Sequence, residues 1–232
     1  MTARDGKEMI LIPAGAFVMG SDEYGPETPQ RTVTLEAHYI DKYPVTNAEY
    51  MQFVKATGHK PLPRDWLEGR YLEGKRDHAV QYLSWNDASA YAKWAGKRLP
   101  TEAEWEKASR GTDGRRWPWG NEFDESRTIV RENAPALGLT TVPVTAYPQG
   151  ASPYGVCQMG GHVEEWVEDW YDAYPGCSYR SACFGKRFKV VRGGSYHYTQ
   201  QYARCAYRRP ARPDFTGFAG FTGPGFRCAL SP

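Results

Sequence analysis

The sequence predicts a single α+β domain that is rich in loops. Helical patterns occur only in the first half of the chain, whereas the candidate strands are short and scattered along its length. The chain contains 24 glycines, 17 prolines and 14% aromatic residues, a composition typical of large rings packed against irregular backbone. At 232 residues and 41% hydrophobic content, one domain spanning residues 1–232 is expected.

Three segments carry helix-start patterns. The first is a capping box, in which a hydroxyl and a carboxylate satisfy free amides, and apolar residues at helical spacing follow it until Gly58. The second helix is expected to stop at Gly96, because glycine readily ends helices. The start motifs are Thr46-Asn47-Ala48-Glu49, Ser84-Trp85-Asn86-Asp87 and Pro100-Thr101-Glu102-Ala103-Glu104.

Short apolar segments bounded by turn residues predict the strands. The first two are separated only by Ala14, a spacing compatible with a hairpin between them. The predicted strands cover residues 9–13, 15–19, 31–35, 39–41, 190–193 and 226–230.

The charge pattern argues against two classes of partner. Lys and Arg number 29 against 27 Asp and Glu, and both signs are scattered, so no basic stripe indicates a nucleic-acid partner. No apolar run approaches the length of a membrane span, and residues 1–8 are polar rather than a signal peptide. A cytoplasmic location is expected on that ground, and surface display by another route stays open.

The cysteines and histidines carry no metal-binding motif. Five cysteines are an odd number, which argues against a disulfide framework and leaves the pairing of Cys177 with Cys183 open. The histidines stand singly, without the spacing that zinc or iron ligands require.

Several motifs occur in a fixed order along the chain. They are Ile10-Leu11-Ile12-Pro13-Ala14-Gly15, Ser84-Trp85-Asn86-Asp87-Ala88, Arg98-Leu99-Pro100-Thr101-Glu102-Ala103-Glu104-Trp105-Glu106, Trp117-Pro118-Trp119-Gly120-Asn121, Gly160-Gly161-His162-Val163-Glu164-Glu165-Trp166, Arg192-Gly193-Gly194-Ser195 and Gly225-Phe226-Arg227. Together they resemble the formylglycine-generating-enzyme-like, or sulfatase-modifying-factor, family. The resemblance implies a variant of the C-type lectin fold.

The resemblance also implies where a copper site would lie. Formylglycine-generating enzymes hold copper with two thiolates shortly after the Gly-Gly-Ser motif, a soft-ligand arrangement suited to Cu(I). Here Tyr198 falls near the place of the first thiolate, and Cys205 is the sole thiol of that stretch. We therefore expect no copper and assign no catalytic residue, which argues against enzymatic activity without excluding it.

A structural calcium site is a second implication of the resemblance. The family binds Ca²⁺ through side-chain oxygens and backbone carbonyls, the hard donors that this ion needs. The matching residues here are Gln158, Gly161, Val163 and Glu165. Gln158 stands where Asn or Asp is usual, and Glu164 stands where Trp is usual.

Residues 191–228 form a candidate variable ligand-binding segment. Its aromatic residues alternate with Gly, Thr and Ala, as in antibody paratopes, where rigid rings supply contact area and small polar residues supply adaptable hydrogen bonds. Alternatively, the phenylalanine rings of this segment fill the hydrophobic core of the domain itself. The candidate ligand-binding residues are Tyr196, His197, Tyr198, Thr199, Tyr202, Tyr207, Phe215, Thr216, Phe218 and Phe221.

One subset of the resembled family uses such a segment, namely the variable proteins of diversity-generating retroelements, in which codons are hypermutated at adenines. AAC-type codons altered in this way yield Tyr, His, Phe, Thr, Ser, Gly, Ala, Pro and Asp. Residues 196–199, 202, 207 and 215–224 all fall within that set, whereas Gln200 and Gln201 do not.

The sequence thus favours a non-enzymatic protein whose aromatic, sequence-variable surface binds a protein or other macromolecule. The alternative is a divergent metal-dependent oxidase of the same family, with a metal near His197, Tyr198 and Cys205. A third hypothesis is an accessory domain that packs on one fixed partner subunit.

Overall fold

The computed structural model describes residues 3–138, 140–217 and 222–232. Their helices and strands are short and joined by long irregular stretches, which confirms the predicted α+β class. The helices are α1 (Asn47–Thr57), α2 (Trp85–Trp94) and α3 (Glu102–Arg110). The strands are β1 (Met9–Ile12), β2 (Gly15–Met19), β3 (Arg31–Leu35), β4 (His38–Asp41), β5 (Glu165–Trp170), β6 (Lys189–Arg192), β7 (Arg208–Ala211), β8 (Gly225–Phe226) and β9 (Ala229–Leu230).

The three helices begin where the sequence predicts. Each has a complete capping box, with the hydroxyl of Thr46, Ser84 or Thr101 accepting from the backbone amide three residues later. α1 ends at Gly58, whose φ of 69° is the left-handed conformation that glycine adopts without strain. α2 ends at Trp94, two residues before the predicted Gly96.

The hairpin that this spacing allows between the first two strands does not form. β1 pairs antiparallel with β4, and β2 pairs antiparallel with β3. A two-residue hairpin needs a positive φ at its first central residue, which here would be Pro13, and the proline ring holds φ near −65°. The chain therefore continues past Pro13 into a separate two-stranded sheet.

A four-stranded sheet of order β7-β6-β5-β8 holds the C-terminal segment. β5 pairs antiparallel with β6 and parallel with β8. Its two faces contact two hydrophobic clusters: Trp166 and Val191 pack with α1 and α2, whereas Val167 and Val190 pack with Trp105 of α3. Segment 191–228 thus starts and ends on one buried sheet.

β5 and β7 are strands that the sequence analysis missed. Both contain acidic or basic residues that a buried strand normally lacks, including Glu165 in β5 and Arg208 in β7. Within the described ranges, the helices are all shorter than a bilayer crossing requires.

Candidate functional site

Buried arginines anchor both ends of segment 191–228. Arg192, at the end of β6, is fully buried, and its guanidinium bonds to Glu102 and Glu106 of α3 at 3.0 and 2.5 Å. Arg227 follows β8 and binds both carboxylate oxygens of Glu165. These contacts hold the loop between them on a rigid base.

Gly194 makes the chain turn sharply after β6. Its φ is 66°, and a Cβ atom there would lie 2.5 Å from the carbonyl oxygen of Tyr202. Only glycine lets the two parts of the segment approach this closely. The turn brings the tyrosines of residues 196–202 back toward those that follow Cys205.

Three tyrosines form a continuous group of rings, which we call the tyrosine cluster. The ring centroids of Tyr198 and Tyr202 are 5.4 Å apart, and those of Tyr202 and Tyr207 are 5.1 Å apart at 81°. These distances and angles are typical of favourable aromatic pairs. Tyr202 is 38% exposed, whereas Tyr198 and Tyr207 are half-buried.

A buried ion pair lies against the tyrosine cluster. Glu164 accepts two hydrogen bonds from Arg209 of β7, and the guanidinium also lies 5.5 Å from the ring of Phe215. Burial opposes the charge on Arg209, but the Glu164 carboxylate outweighs it and raises the Arg209 pKa. In the sequence, Glu164 departs from the family's Trp and is a candidate partner for an arginine, but nothing local identifies Arg209 as that partner.

The hydroxyls of Tyr198 and Tyr207 stay protonated near neutral pH. Burial raises the pKa of Tyr198 and Tyr207, and the nearby Glu164 carboxylate raises both further. These hydroxyls therefore act as neutral hydrogen-bonding groups rather than as phenolate ligands or bases.

The expectation that Tyr196 lies on the exposed face is wrong. Tyr196 is 4% exposed and packs with Ile129 and Ala134. Its hydroxyl approaches the side chains of Gln81 and Tyr82. Because these partners lie more than a hundred residues earlier in the chain, no local pattern indicated the burial.

The other predicted ligand-binding residues differ in their surroundings. His197 and Thr199 are half-buried, and burial lowers the His197 pKa, so its ring is neutral near pH 7. Phe215 is half-buried and packs against the core, which agrees with the core-plug alternative for that ring. Thr216 is half-buried, and Phe218 and Phe221 lie outside the described residues.

Cys205 is placed as a structural thiol. It is fully buried, and the Ser109 hydroxyl lies 3.1 Å from its sulfur as a donor. Burial raises the Cys205 pKa to about 12, whereas a metal-binding or nucleophilic cysteine needs a thiolate. In the described part of the chain, no three His, Cys, Asp or Glu side chains converge as a metal site.

The four predicted calcium ligands do not fit that ion as they are placed. Glu165 is the only carboxylate among them, and Arg227 and the indole of Trp105 donate to it. The Gln158 amide nitrogen donates to the Ala146 carbonyl. A calcium ion needs several free oxygen ligands and would be repelled by the guanidinium. The calcium site is an untested prediction, and these contacts argue against calcium binding there.

Comparison with known proteins gives matches that span nearly the whole chain. Residues 1–232 match the sulfatase-modifying factor enzyme 1-like domain family. A formylglycine-generating enzyme of Streptomyces coelicolor is 34% identical, over 97% of this chain and 90% of its own length. The solved structure of PvdO from Pseudomonas aeruginosa superposes with a TM-score of 0.79 at 29% identity, covering 100% of this chain and 97% of PvdO.

A further solved structure has the same fold at lower identity. Treponema denticola variable protein 1 superposes with a TM-score of 0.75 at 21% identity, covering 97% of this chain and 95% of that protein. At this identity the likeness concerns the fold alone. The predicted combination of a formylglycine-generating-enzyme-like scaffold and a C-type-lectin-type fold is confirmed.

Proposed function

The chain belongs to the sulfatase-modifying factor enzyme 1-like domain family, and on that scaffold we propose that it is a ligand-binding protein rather than an oxidase. The binding surface is centred on Tyr202, with Tyr198 and Tyr207 beside it. The ligand is a protein or another macromolecule with a surface that packs against exposed rings. The finer form of this proposal is a variable protein of a diversity-generating retroelement.

The observation that carries the proposal is the tyrosine cluster in the stretch where the resembled enzymes have two copper thiolates. Cys205 is the only cysteine between Gly194 and Gly225, and it is buried and bonded to Ser109. A linear two-sulfur copper site cannot be built from one protonated thiol. The rings at that place supply contact area and hydroxyl groups instead.

The surroundings of the cluster also suit binding. Glu164 and Arg209 neutralise each other close to the rings, so a partner meets an aromatic surface without a net charge from this pair. Buried anchors fix both ends of the segment, which lowers the entropy lost when a ligand binds. Tyrosines held in this way contribute large contact areas at small conformational cost.

The turn of residues 200–203 also contacts rings outside the C-terminal segment, of which Tyr24 is partly exposed and Trp117 is buried. Tyr24 accepts a hydrogen bond of 2.7 Å from the Gln201 side chain and stacks 4.0 Å from the guanidinium of Arg204. Trp117 donates to the Gln200 carbonyl, and its ring meets that of Phe123 at 5.6 Å. The turn of residues 200–203 therefore lies between two further groups of rings.

Sequencing of the coding region across the source population tests the proposal. We expect substitutions concentrated at Tyr198, Thr199, Tyr202 and Tyr207, replaced by residues that adenine mutagenesis can reach. Tyr196 should vary less than these four because it is buried. Substitutions spread evenly along the chain, or no substitutions within residues 191–228, would overturn the retroelement form of the proposal. Binding to one fixed partner would then remain as the proposed function.

The enzyme alternative has one specific observation in its favour, which is the identity of 34% to a protein named formylglycine-generating enzyme. Its test is direct. The purified protein is loaded with Cu(I) and incubated with a cysteine-containing sulfatase peptide, and the product is examined by mass spectrometry. We expect no formylglycine, and its formation would overturn the binding proposal.

A further inference from the structure

A second candidate site lies in a small cleft away from the tyrosine cluster. Its volume is about 160 Å³, well below the size of drug-binding pockets and sufficient for a small molecule or one side chain. The lining is mixed, with two rings, one carboxylate and one ammonium group among amides and hydroxyls. The lining includes Asp65, Tyr71, Leu72, Lys75, Gln81 and Tyr82.

Asp65 is the unsatisfied group of this cleft. Its Oδ1 atom is buried and has no hydrogen-bond partner. Burial raises the Asp65 pKa to about 6, and the neighbouring Gln81 side chain and Lys75 ammonium offset that rise only in part. A buried carboxylate oxygen without a donor is costly, so it marks a place where an incoming donor would bind favourably.

Lys75 does not fill this role, because its own donors are already used. The ammonium donates to the Thr140 hydroxyl at 2.6 Å and to the Thr141 carbonyl at 3.2 Å. It also lies 3.4 Å from Nδ1 of His78. An ammonium has three protons, and these three neighbours account for them. The hydrogen-bonding group of the cleft that lacks a partner is therefore an acceptor, the Oδ1 atom of Asp65, and not a donor.

The walls of the cleft suit an alkyl chain that carries a positive charge. Tyr71 is held edge-on against Trp66, with ring centroids 5.7 Å apart. The Tyr82 ring has the guanidinium of Arg64 5.5 Å from its centroid, so it contributes an apolar wall rather than a vacant place for a second cation.

Buried Tyr196 contacts two residues that line this cleft. Its hydroxyl meets the side chains of Gln81 and Tyr82, which both line the cleft. Thr222 donates to the Gln81 side-chain oxygen at 3.1 Å. The residues that face Asp65 are thus held in place by the C-terminal segment.

We propose that this cleft binds a primary alkylammonium group, which donates to the free oxygen of Asp65 while its chain packs against Tyr71, Leu72 and Tyr82. The group belongs either to a free small amine or to a lysine side chain of a partner. This inference does not depend on the binding proposal for the tyrosine cluster, because the two sites use different residues.

Isothermal titration and chemical-shift mapping with n-butylammonium test the proposal, with n-butanol as the neutral isostere. We expect saturable binding of the amine alone. The Asp65→Asn variant removes the charge and keeps the shape, and it should weaken binding about tenfold or more. Asp77→Asn is the matched control, because its carboxylate is 70% exposed and does not line the cleft, and it should leave binding unchanged.

A lysine peptide with blocked termini distinguishes the two sources. Tighter binding of the peptide than of n-butylammonium indicates a protein partner, whereas binding of the amine alone indicates a free small amine. The absence of binding by either ligand at about 10 mM overturns the proposal. Equal binding to wild type and Asp65→Asn also overturns it, and thermal unfolding of both proteins shows that each is folded.

Discussion

Glu164 and Arg209 form a buried, bidentate ion pair next to the tyrosine cluster. Their side chains are 1% and 19% exposed. Glu164 immediately precedes β5, and Arg209 lies in β7, so β6 separates the strands that bring them together. The pair therefore links the geometry of the exposed rings to the stability of the sheet.

Replacing Glu164 with Gln should destabilise the protein strongly. The change leaves the Arg209 guanidinium largely buried without a counter-charge, and breaking such pairs costs about 3–5 kcal/mol. Urea unfolding measures the loss. Asp214→Asn, in the exposed pair with Arg212, is the control and should change stability little. A loss for Glu164→Gln no larger than for the control would show that the ion pair does not support the cluster.

The tyrosines of the cluster should differ in how well they tolerate substitution. Tyr202→Ala removes a ring that is 38% exposed, so its effect on the unfolding free energy should be small. Tyr207→Ala removes a half-buried ring and should cost more, about 2–4 kcal/mol. Thermal unfolding compares the two variants. Equal losses would mean that Tyr202 belongs to the core rather than to a surface that can vary.

The cysteines should react with alkylating reagents according to their burial. Burial raises the pKa of Cys205 to about 12 and that of Cys228 well above its usual range, so both stay unreactive thiols at pH 8. Cys177 and Cys183 are unpaired and half-buried and should be labelled by iodoacetamide in the folded protein. Peptide mass spectrometry reads out the pattern, with urea-unfolded protein as the control. Rapid labelling of folded Cys205 would favour the enzyme alternative.

Ionisation of Asp65 should lower the free energy of unfolding as the pH rises. Its pKa in the folded protein, about 6, is above the ordinary value of 3.8, so the folded state binds this proton more tightly than the unfolded state does. The stabilisation is present below pH 3.8 and is lost as the pH rises toward 6. At pH 7.5, Asp65→Asn should therefore be more stable than wild type, on the order of 1–3 kcal/mol.

Urea unfolding at pH 4.5 and 7.5 measures this difference, with Asp77→Asn as the matched control. We expect the advantage of Asp65→Asn to shrink at the lower pH, where wild-type Asp65 is largely protonated. A constant advantage at both values would contradict the raised pKa of Asp65. An NMR titration of its carboxyl carbon gives the midpoint directly.

Calcium should leave the thermal stability unchanged. Arg227 and Trp105 already donate hydrogen bonds to the Glu165 carboxylate, which is the one acidic group of the predicted ligand set. Differential scanning fluorimetry with millimolar calcium, and then with EGTA, measures the effect, and magnesium is the control. A rise in Tm that is specific to calcium would restore the predicted site and require Arg227 to move.

The sequence alone determined the features that depend on neighbouring residues. The three capping boxes place hydroxyl and carboxylate groups within one helical turn of the amides that they satisfy, so the helix starts followed directly from the order of residues. β2 and β3 were predicted at their observed bounds from short apolar segments. The ordered motifs identified the family and the fold.

Tertiary structure alone decided where the charged and aromatic side chains of the site lie. Glu165 of β5 and Arg208 of β7 are buried, because their charges meet Arg227 and Glu102 from distant parts of the chain. Tyr196 is enclosed by Gln81 and Tyr82 for the same reason. The free energy of burying a charge or a hydroxyl depends on its partner in space, and local sequence patterns do not contain that partner.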